Sequence, residues 1–479
     1  MTNYIQGGFE LEALILTNQF GESIDLMELS DGFRMYESIY EKFITADITL
    51  KEGLSLPKNM RLSGQENVRV SLRQLEGNSE TANKDFSIDK TLRLYSINDV
   101  QKDGNVTQRM ELHLIDPRAF YVSKTRLRRV MRGSYDQMLQ NILMQAAHFK
   151  AEEFVHWEST IPENQQVVCR GWRITDTIDY LVQSANISTN PSYRNGMFFY
   201  QTLNGGFTFK SIDSMFEQEF PIAFNDGMRA TIVDSNEETL ESPKGLNTAI
   251  LSHGKPQLFD TLEGTVQGAY ASSMKVYDPL TKIEKDVVFD LSETFKRGKH
   301  LSGEPMLTLD EDERTLTADN VTEGMTDPDA HEVDIDIPLN KASDTLILKP
   351  FNTTHVFDDS ESLDESETFE GQKFLDNAVL ERNSMIQILQ QHTIRVSIPL
   401  RTDLSVGLIV KLNIADQETS MNNESVVNDN RYLITDLALH ANPVSRKGSL
   451  MMECVKESFA KKLSDIDSPR NNMDGPEEV

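Results

Sequence analysis

Nine histidines are the obvious candidates for acid–base or metal chemistry, and they are scattered along 479 residues. The nearest pair, His148 and His156, is eight apart, which is not a spacing that puts two imidazoles on one metal from a single helix. Surface or hydrogen-bonded histidines are the expected state. The sequence has no His-Glu-x-x-His, Gly-x-Ser-x-Gly, Gly-x-Gly-x-x-Gly or phosphate-loop pattern. Asp310–Asp319 is dense in carboxylates like a calcium loop, but Arg314 sits where a ligand belongs and Thr315 replaces the turn glycine. Two carboxylates suffice for glycoside hydrolysis, yet sequence selects no pair among 76 acidic residues. Cys169 and Cys454 are too few for a disulfide framework or a thiolate metal site, and are expected to be small buried side chains. The one dense basic cluster is Lys124, Arg126, Arg128, Arg129 and Arg132. It reads either as a dock for an acidic partner or as a solvated face, with Val122–Val130 as a strand edge protected by charge. The expectation is therefore no catalytic, cofactor-binding or metal-ligating residue, and no cofactor.

The elements around these residues are mostly short strands. In 1–118, Phe9, Leu11, Ala13 and Ile15 alternate with Glu10, Glu12 and Leu14, the period of a half-buried strand. Further strands are expected at Ile24–Leu29, Tyr36–Phe43, Ile44–Leu50, Val68–Leu75, Lys84–Asn98 and Arg109–Ile115, with Ser30-Asp31-Gly32 as a turn. Such spacing argues for a small barrel or sandwich. Residues 119–254 change character. Tyr135–Phe149 and Asp176–Ser184 carry helical apolar stripes, and Asn204-Gly205-Gly206 joins Phe198–Gln201 to Phe207–Lys210 as a hairpin. This is an α+β unit. Strands return at Leu262–Tyr270, Ser273–Tyr277 and Asp286–Asp290. After a helix at Phe374–Gln391 they resume at Thr393–Ile398, Leu408–Ile414, Tyr432–His440 and Gly448–Lys456. A second barrel, split into 255–295 and 373–460, is the simplest account.

The split falls at 296–372. Within 301–370, twenty Asp and Glu face three Lys and Arg, over half of the chain's net charge of −29. Such composition buries too little apolar surface to offset ordering entropy, so an acidic insertion is expected, in which Val333–Ile337 and Thr345–Leu348 could pair. Residues 461–479 read as a flexible tail. The acidic balance disfavours a whole-chain nucleic-acid clamp. No apolar run is long enough to span a membrane. Met1–Glu10 has no basic segment and Ala13–Leu16 is too short for a signal core, so folding in a cytoplasm is expected.

Four stretches resemble the baseplate central hub proteins of contractile-tailed bacteriophages, the T-even type and its myovirus relatives, and the hub half of the VgrG spike of type VI secretion. They are Tyr36-Glu37-Ser38-Ile39 with Phe43–Leu50; Glu263–Ser272 with Tyr277-Asp278-Pro279-Leu280; Ile398–Val410; and Asn430–His440. The order and spacing of all four carry the likeness, which covers most of the chain outside 296–372. It implies an α+β, β-rich fold with two tube-type antiparallel β-barrel domains and an α+β domain facing outward or toward the spike; the acidic insertion and the acidic tail depart from the family's compact form. It implies a helical turn at Tyr36–Ile39 before the strand, and a loop and glycine turn before the strand at Leu408. The implied function is structural, not enzymatic. A homotrimeric ring of six similar barrels matches a sixfold tail tube to a threefold spike and lets the genome pass through an acidic or neutral lumen. Implied partners are the chain itself, a trimeric spike or lysozyme-type protein, tail tube or tube-initiator proteins, baseplate wedge proteins and the tape-measure protein. Neither sequence-specific nucleic-acid binding nor a membrane span is implied, and the place is the virion tail baseplate. A hub of a related non-phage injection device fits the same motifs. A virion-borne cell-wall hydrolase is the alternative from another class.

Overall fold

The computed structural model describes residues 8–74, 87–103, 107–161, 165–187, 196–218, 222–226, 248–257, 259–278, 283–291, 295, 298–302, 304–305, 315–316, 337–338, 343–346, 379–414 and 431–459. Most of the acidic insertion, the Asp310–Asp319 run apart from Thr315 and Leu316, and the 461–479 tail lie outside these. The chain is β-rich with short helices, in line with a β-rich α+β class.

Seven strands come first: β1 (Phe9–Thr17), β2 (Ser23–Asp25), β3 (Ser30–Ser38), β4 (Thr45–Glu52), β5 (Asn67–Gln74), β6 (Ser87–Asp103) and β7 (Thr107–Ile115), with helix α1 (Leu56–Asn59) between β4 and β5. The α+β unit follows with α2 (Arg118–Lys124), β8 (Arg126–Gly133), α3 (Tyr135–Ala147), β9 (Phe154–Trp157), β10 (Gln165–Arg173), α4 (Ile174–Ser184), β11 (Met197–Gln201), β12 (Phe207–Ser211) and α5 (Ile212–Phe216). Then come β13 (Ile222–Asp226), β14 (Ala249–Ile250), β15 (Ser252–Gln257), α6 (Thr261–Val266), β16 (Ala271–Asp278) and β17 (Ile283–Asp290). Four short strands lie next, β18 (Glu304–Pro305), β19 (Thr315–Leu316), β20 (Ile337–Pro338) and β21 (Ser343–Leu346). Helix α7 is described over 379–391. The chain continues through β22 (Thr393–Pro399), β23 (Ile409–Asn413), β24 (Arg431–Asn442), β25 (Lys447–Val455) and β26 (Ser458–Phe459).

Two circuits of strand pairing share one ladder, β24 with β25. The first runs β24, β3, β4, β7, β6, β5, β1 and returns to β25 through the bridge from Gly8 to Lys447. The second runs β24, β25, β22, β15, crosses Leu251 into β14, and returns through β13 and β23. Within these circuits β15, β22, β25, β24, β3, β4, β7 and β6 make an uninterrupted antiparallel path. Period-two alternation sends one face of this path inward in both circuits. The row Ile398, Leu450, Leu439, Met35, Ala46, Leu114, Leu94 crosses seven strands with no member more than 1% exposed.

The α+β unit has its own core. The helical stripes expected from sequence bury Met138, Leu139, Ile142 and Leu143 on α3 and Ile178, Leu181 and Val182 on α4. They pack with Phe199, Phe207 and Phe209 from the β11–β12 hairpin. Its glycine turn is sterically required, because a Cβ on Gly206 would overlap the Glu153 carbonyl.

Several expectations are corrected. Tyr36–Ser38 is not a helical turn but the end of β3. Ser30-Asp31-Gly32 is not a turn but the start of β3, bulged between Ser30 and Gly32. Leu262–Tyr270 is not a strand: the Asp260 side chain accepts from the Glu263 N–H at 2.9 Å and caps α6. β16 and β17 do not enter the second circuit. They form a separate sheet with β21, packed through Met274 and Phe289 with Leu380 and Ile388 of α7. Instead β13 and β14, from the stretch read as α+β, complete it. Ile337 pairs with Leu316, and Thr345 with Met274, rather than with each other.

Candidate assembly junction

β24 is where the two circuits divide. One of its edges pairs with β25 along most of its length, while the other pairs first with β23 and then with β3. The change falls at a bulge between Ile434 and Asp436. The Ile434 carbonyl accepts from Gly407 N–H at 2.8 Å, and the Thr435 carbonyl from Ile39 N–H at 2.9 Å. A bulge lets one strand bend and change partners without leaving backbone groups bare. Gly407 enters this turn at φ +80°, where a Cβ would also strike the Tyr200 ring hydroxyl.

Beside the bulge lies a buried carboxylate. Glu37 sits on the inward row opposite Leu437 and is 2% exposed. Its Oε2 accepts from Leu203 N–H at 2.6 Å and its Oε1 from Val406 N–H at 3.0 Å. One side chain thus ties β3, the β11–β12 turn and the loop before β23. Burial pushes its pKa up to about 7, against those hydrogen bonds and the Lys90 charge. Lys90, held below its usual range by burial, donates to the Gly205 carbonyl at 2.8 Å. Two glutamines repeat the arrangement. Gln201 accepts from Ile44 N–H at 3.2 Å and donates to Asp116 at 2.7 Å. Gln74 Oε1 accepts from Thr402 N–H at 3.1 Å and its hydroxyl at 3.3 Å. These contacts hold the three units in fixed relation.

The other face of the eight-strand path is polar. One row reads Pro399, Ser449, His440, Arg34, Asp47, His113, Ser96. Asp47 and His113 are 2.6 Å apart, and Arg395 and Glu453 pair at 2.8 Å near Asp436. Partial burial holds Asp436 above, and His440 below, their ordinary values. The face mixes both signs.

Among the described residues, those considered first for chemistry do not converge on one site. His148 caps α3 in the left-handed region and meets the edge of Tyr121, while His156 is exposed on β9. Cys169 and Cys454 are both buried and free. Among the described residues no group of three His, Cys, Asp or Glu could hold a metal ion. No described helix is long and apolar enough to cross a membrane. The basic cluster divides: Arg126, Arg128 and Arg132 are exposed on β8, Arg129 turns to Gln145 at 2.9 Å, and Lys124 lies over the Tyr121 ring. Sequence reasoning missed Glu37 as a buried junction residue, since its neighbours Leu203 and Val406 are 166 and 369 positions away.

No protein-family profile matches the chain, and no curated protein matches it. Among solved structures it is similar to the tail protein from Neisseria meningitidis MC58, at 9% identity over 94% of this chain and 97% of that one, TM-score 0.47. It is similar to the prophage MuSo2 43 kDa tail protein from Shewanella oneidensis, at 7% identity over 93% and 98%, TM-score 0.46. A third is the E. coli c3393 protein, a component of the type VI secretion system, at 9% identity over 95% and 79%, TM-score 0.39. Phage tail proteins and VgrG-related type VI proteins are among the structures this chain is similar to.

Proposed function

We infer that the chain is a structural hub of a contractile phage tail baseplate, or of a closely related injection device, and acts as a ring-forming adaptor rather than an enzyme. The observation that carries this reading is the antiparallel path of eight strands through both circuits. Its ends differ. Among the described residues, the second half of β6 pairs only with β7, and β15 pairs only with β22. Unlike edges on one molecule favour head-to-tail contacts, which close into a ring when the rotation permits. In this reading the two circuits are twin tube-type barrels. The first takes in 1–118, and the second is drawn from β13, β14 and β15 with the strands β22 to β25 of 373–460. Residues 119–210 form the peripheral, spike-facing unit. Three chains present six barrels, sixfold to the tail tube above and threefold to the spike below. The polar face turns to the channel. Its mixture of Arg34, Asp47, Arg395, Asp436 and Glu453 leaves no continuous basic wall to hold passing phosphates.

Mass photometry of the chain alone and with its trimeric spike partner tests this, with particle images along the ring axis. The expected species contains three chains of 54.4 kDa and shows a central opening with six similar lobes. A monomer under both conditions, or a twofold dimer, overturns it. Zymography on peptidoglycan is expected to be blank.

A further inference from the structure

The α+β unit exposes an arginine face that the hub reading does not use. β8 and β10 pair as a two-stranded sheet, and among the described residues neither strand has a further partner. Leu127, Met131, Val167 and Cys169 point into the core. Alternation sends Arg126, Arg128 and Arg132 of β8 and Arg170 and Arg173 of β10 to the opposite face, where all five are exposed. The register sets Arg128 directly against Arg170 and Arg126 against Arg173. Between Arg128 and Arg132, Val130 lies opposite Val168 and is 50% exposed. Like charges directly opposite across a ladder destabilise it. Arg126 is relieved in part by donating to the Gly171 carbonyl at 2.9 Å. Asp176 of α4 is turned to the Arg173 backbone N–H at 3.2 Å. Among the described residues no carboxylate makes an ion pair with any of the five side chains. The fold gains nothing from opposing these cations, so their use lies in what they bind.

An arginine fork matches carboxylate and phosphate alike, and the layout of the face chooses between them. β8 has eight residues. A strand of that length runs about 26 Å and its neighbour lies about 5 Å away, a narrow ribbon with the footprint of one extended segment. Along β8 the arginines recur at every second residue on either side of the valine pair. An extended polypeptide presents side chains toward such a ribbon with the same period, so carboxylates can meet the arginines while an apolar side chain covers the valines. A polyphosphate backbone offers nothing apolar to place there. An apolar centre ringed by arginine is the composition of a protein interface.

We propose that the face of β8 and β10 binds an extended acidic segment of a partner protein, with carboxylates on the arginines and an apolar side chain over Val130 and Val168. Each exposed pair contributes little alone. Bidentate geometry and several pairs made at once give the contact its strength and its dependence on salt.

Fluorescence anisotropy on the full chain tests this whether or not a ring forms. The probe is a labelled nine-residue peptide with acidic residues at its first, third, seventh and ninth positions, a central valine and threonine elsewhere. At 50 mM salt it is expected to bind at least tenfold more tightly than the same peptide with amides for carboxylates, and to weaken at least tenfold in 0.5 M salt. Changing its central valine to threonine should weaken it at least threefold. Arg128→Thr with Arg170→Thr should cost at least tenfold in binding while the melting temperature holds or rises, since a like-charge pair has been removed. Val130→Glu keeps the arginines but places a charge at the centre, and should also cost at least tenfold. Equal binding of the acidic and amide peptides, indifference to either variant, or a lower melting temperature in the arginine variant overturns the proposal. So does tighter binding of a 12-base-pair DNA duplex than of the acidic peptide at the same salt, which would give the face to nucleic acid.

Discussion

Glu37→Gln is the most informative single change at the junction. The carboxylate is fully buried, and its pKa rises from 4.5 to about 7. That shift corresponds to about 3 kcal/mol by which folding favours the protonated form. Below pH 4.5 both the folded and the unfolded chain hold the proton, and the group has no pH-dependent effect. Between 4.5 and about 7 only the folded chain holds it, so stability falls as pH rises, and above 7 the full penalty persists. Glutamine is neutral throughout, but offers one acceptor oxygen to the two N–H groups of Leu203 and Val406. The variant is therefore expected to be about 1 kcal/mol less stable than wild type at pH 5 and about 2 kcal/mol more stable at pH 8.5, with the order reversing between. A chain of this size need not unfold in two states, so the readout should be local. Hydrogen exchange at the Leu203 and Val406 amides, corrected for intrinsic rates, reports the junction directly. Titration of other groups is common to both proteins and cancels in the difference. Parallel profiles from pH 5 to 8.5, or wild-type protection that rises with pH relative to the variant, would refute the account.

Other changes have simpler outcomes. Leu439→Ala empties the centre of the shared inward row and should cost about 2–5 kcal/mol, visible as a large loss of thermal stability. Gly407→Ala meets both a positive φ and the Tyr200 hydroxyl, and should cost about 2 kcal/mol or more, with partial recovery on adding Tyr200→Phe. Arg395→Ala removes an ion pair whose arginine is well exposed and should leave the melting temperature within a degree or two of wild type. Gln74→Leu strands the buried Thr402 donors and should cost about 1–3 kcal/mol while leaving the α+β unit's exchange pattern unchanged.

What was legible in the sequence was local. Alternation located β1, β4, β5, β7, β22 and β25, because half-buried strands write their pattern every second residue. Amphipathic spacing located α3 and α4, and paired glycines marked the β11–β12 hairpin. The failures have common causes. Ser30-Asp31-Gly32 has the composition of a turn, but a bulge absorbs it into β3. The 261–266 segment has apolar residues at Leu262 and Val266, which reads as strand-like enrichment. The Asp260 cap and two outward-facing side chains make it a surface helix instead. β13 is five residues long and pairs in parallel with a strand nearly two hundred positions away, so nothing in its neighbourhood announces which sheet it joins.

The junction explains why a single strand can serve both circuits. A sheet shared by two circuits must let one strand satisfy two partners on the same edge, which flat pairing forbids because each edge group bonds once. β24 resolves this by length and by the bulge at Thr435. Before it the free edge serves β23, and after it the edge serves β3. The bend there would leave loop amides buried without acceptors, and Glu37 and the Ile434 and Thr435 carbonyls supply them. An ionisable group is a costly acceptor in such a place, since its charge is desolvated. It also accepts from two directions at once, which a carbonyl of the strand itself cannot do toward both Leu203 and Val406. The geometry of the fork, rather than any chemistry at it, accounts for a buried carboxyl group opposite Leu437.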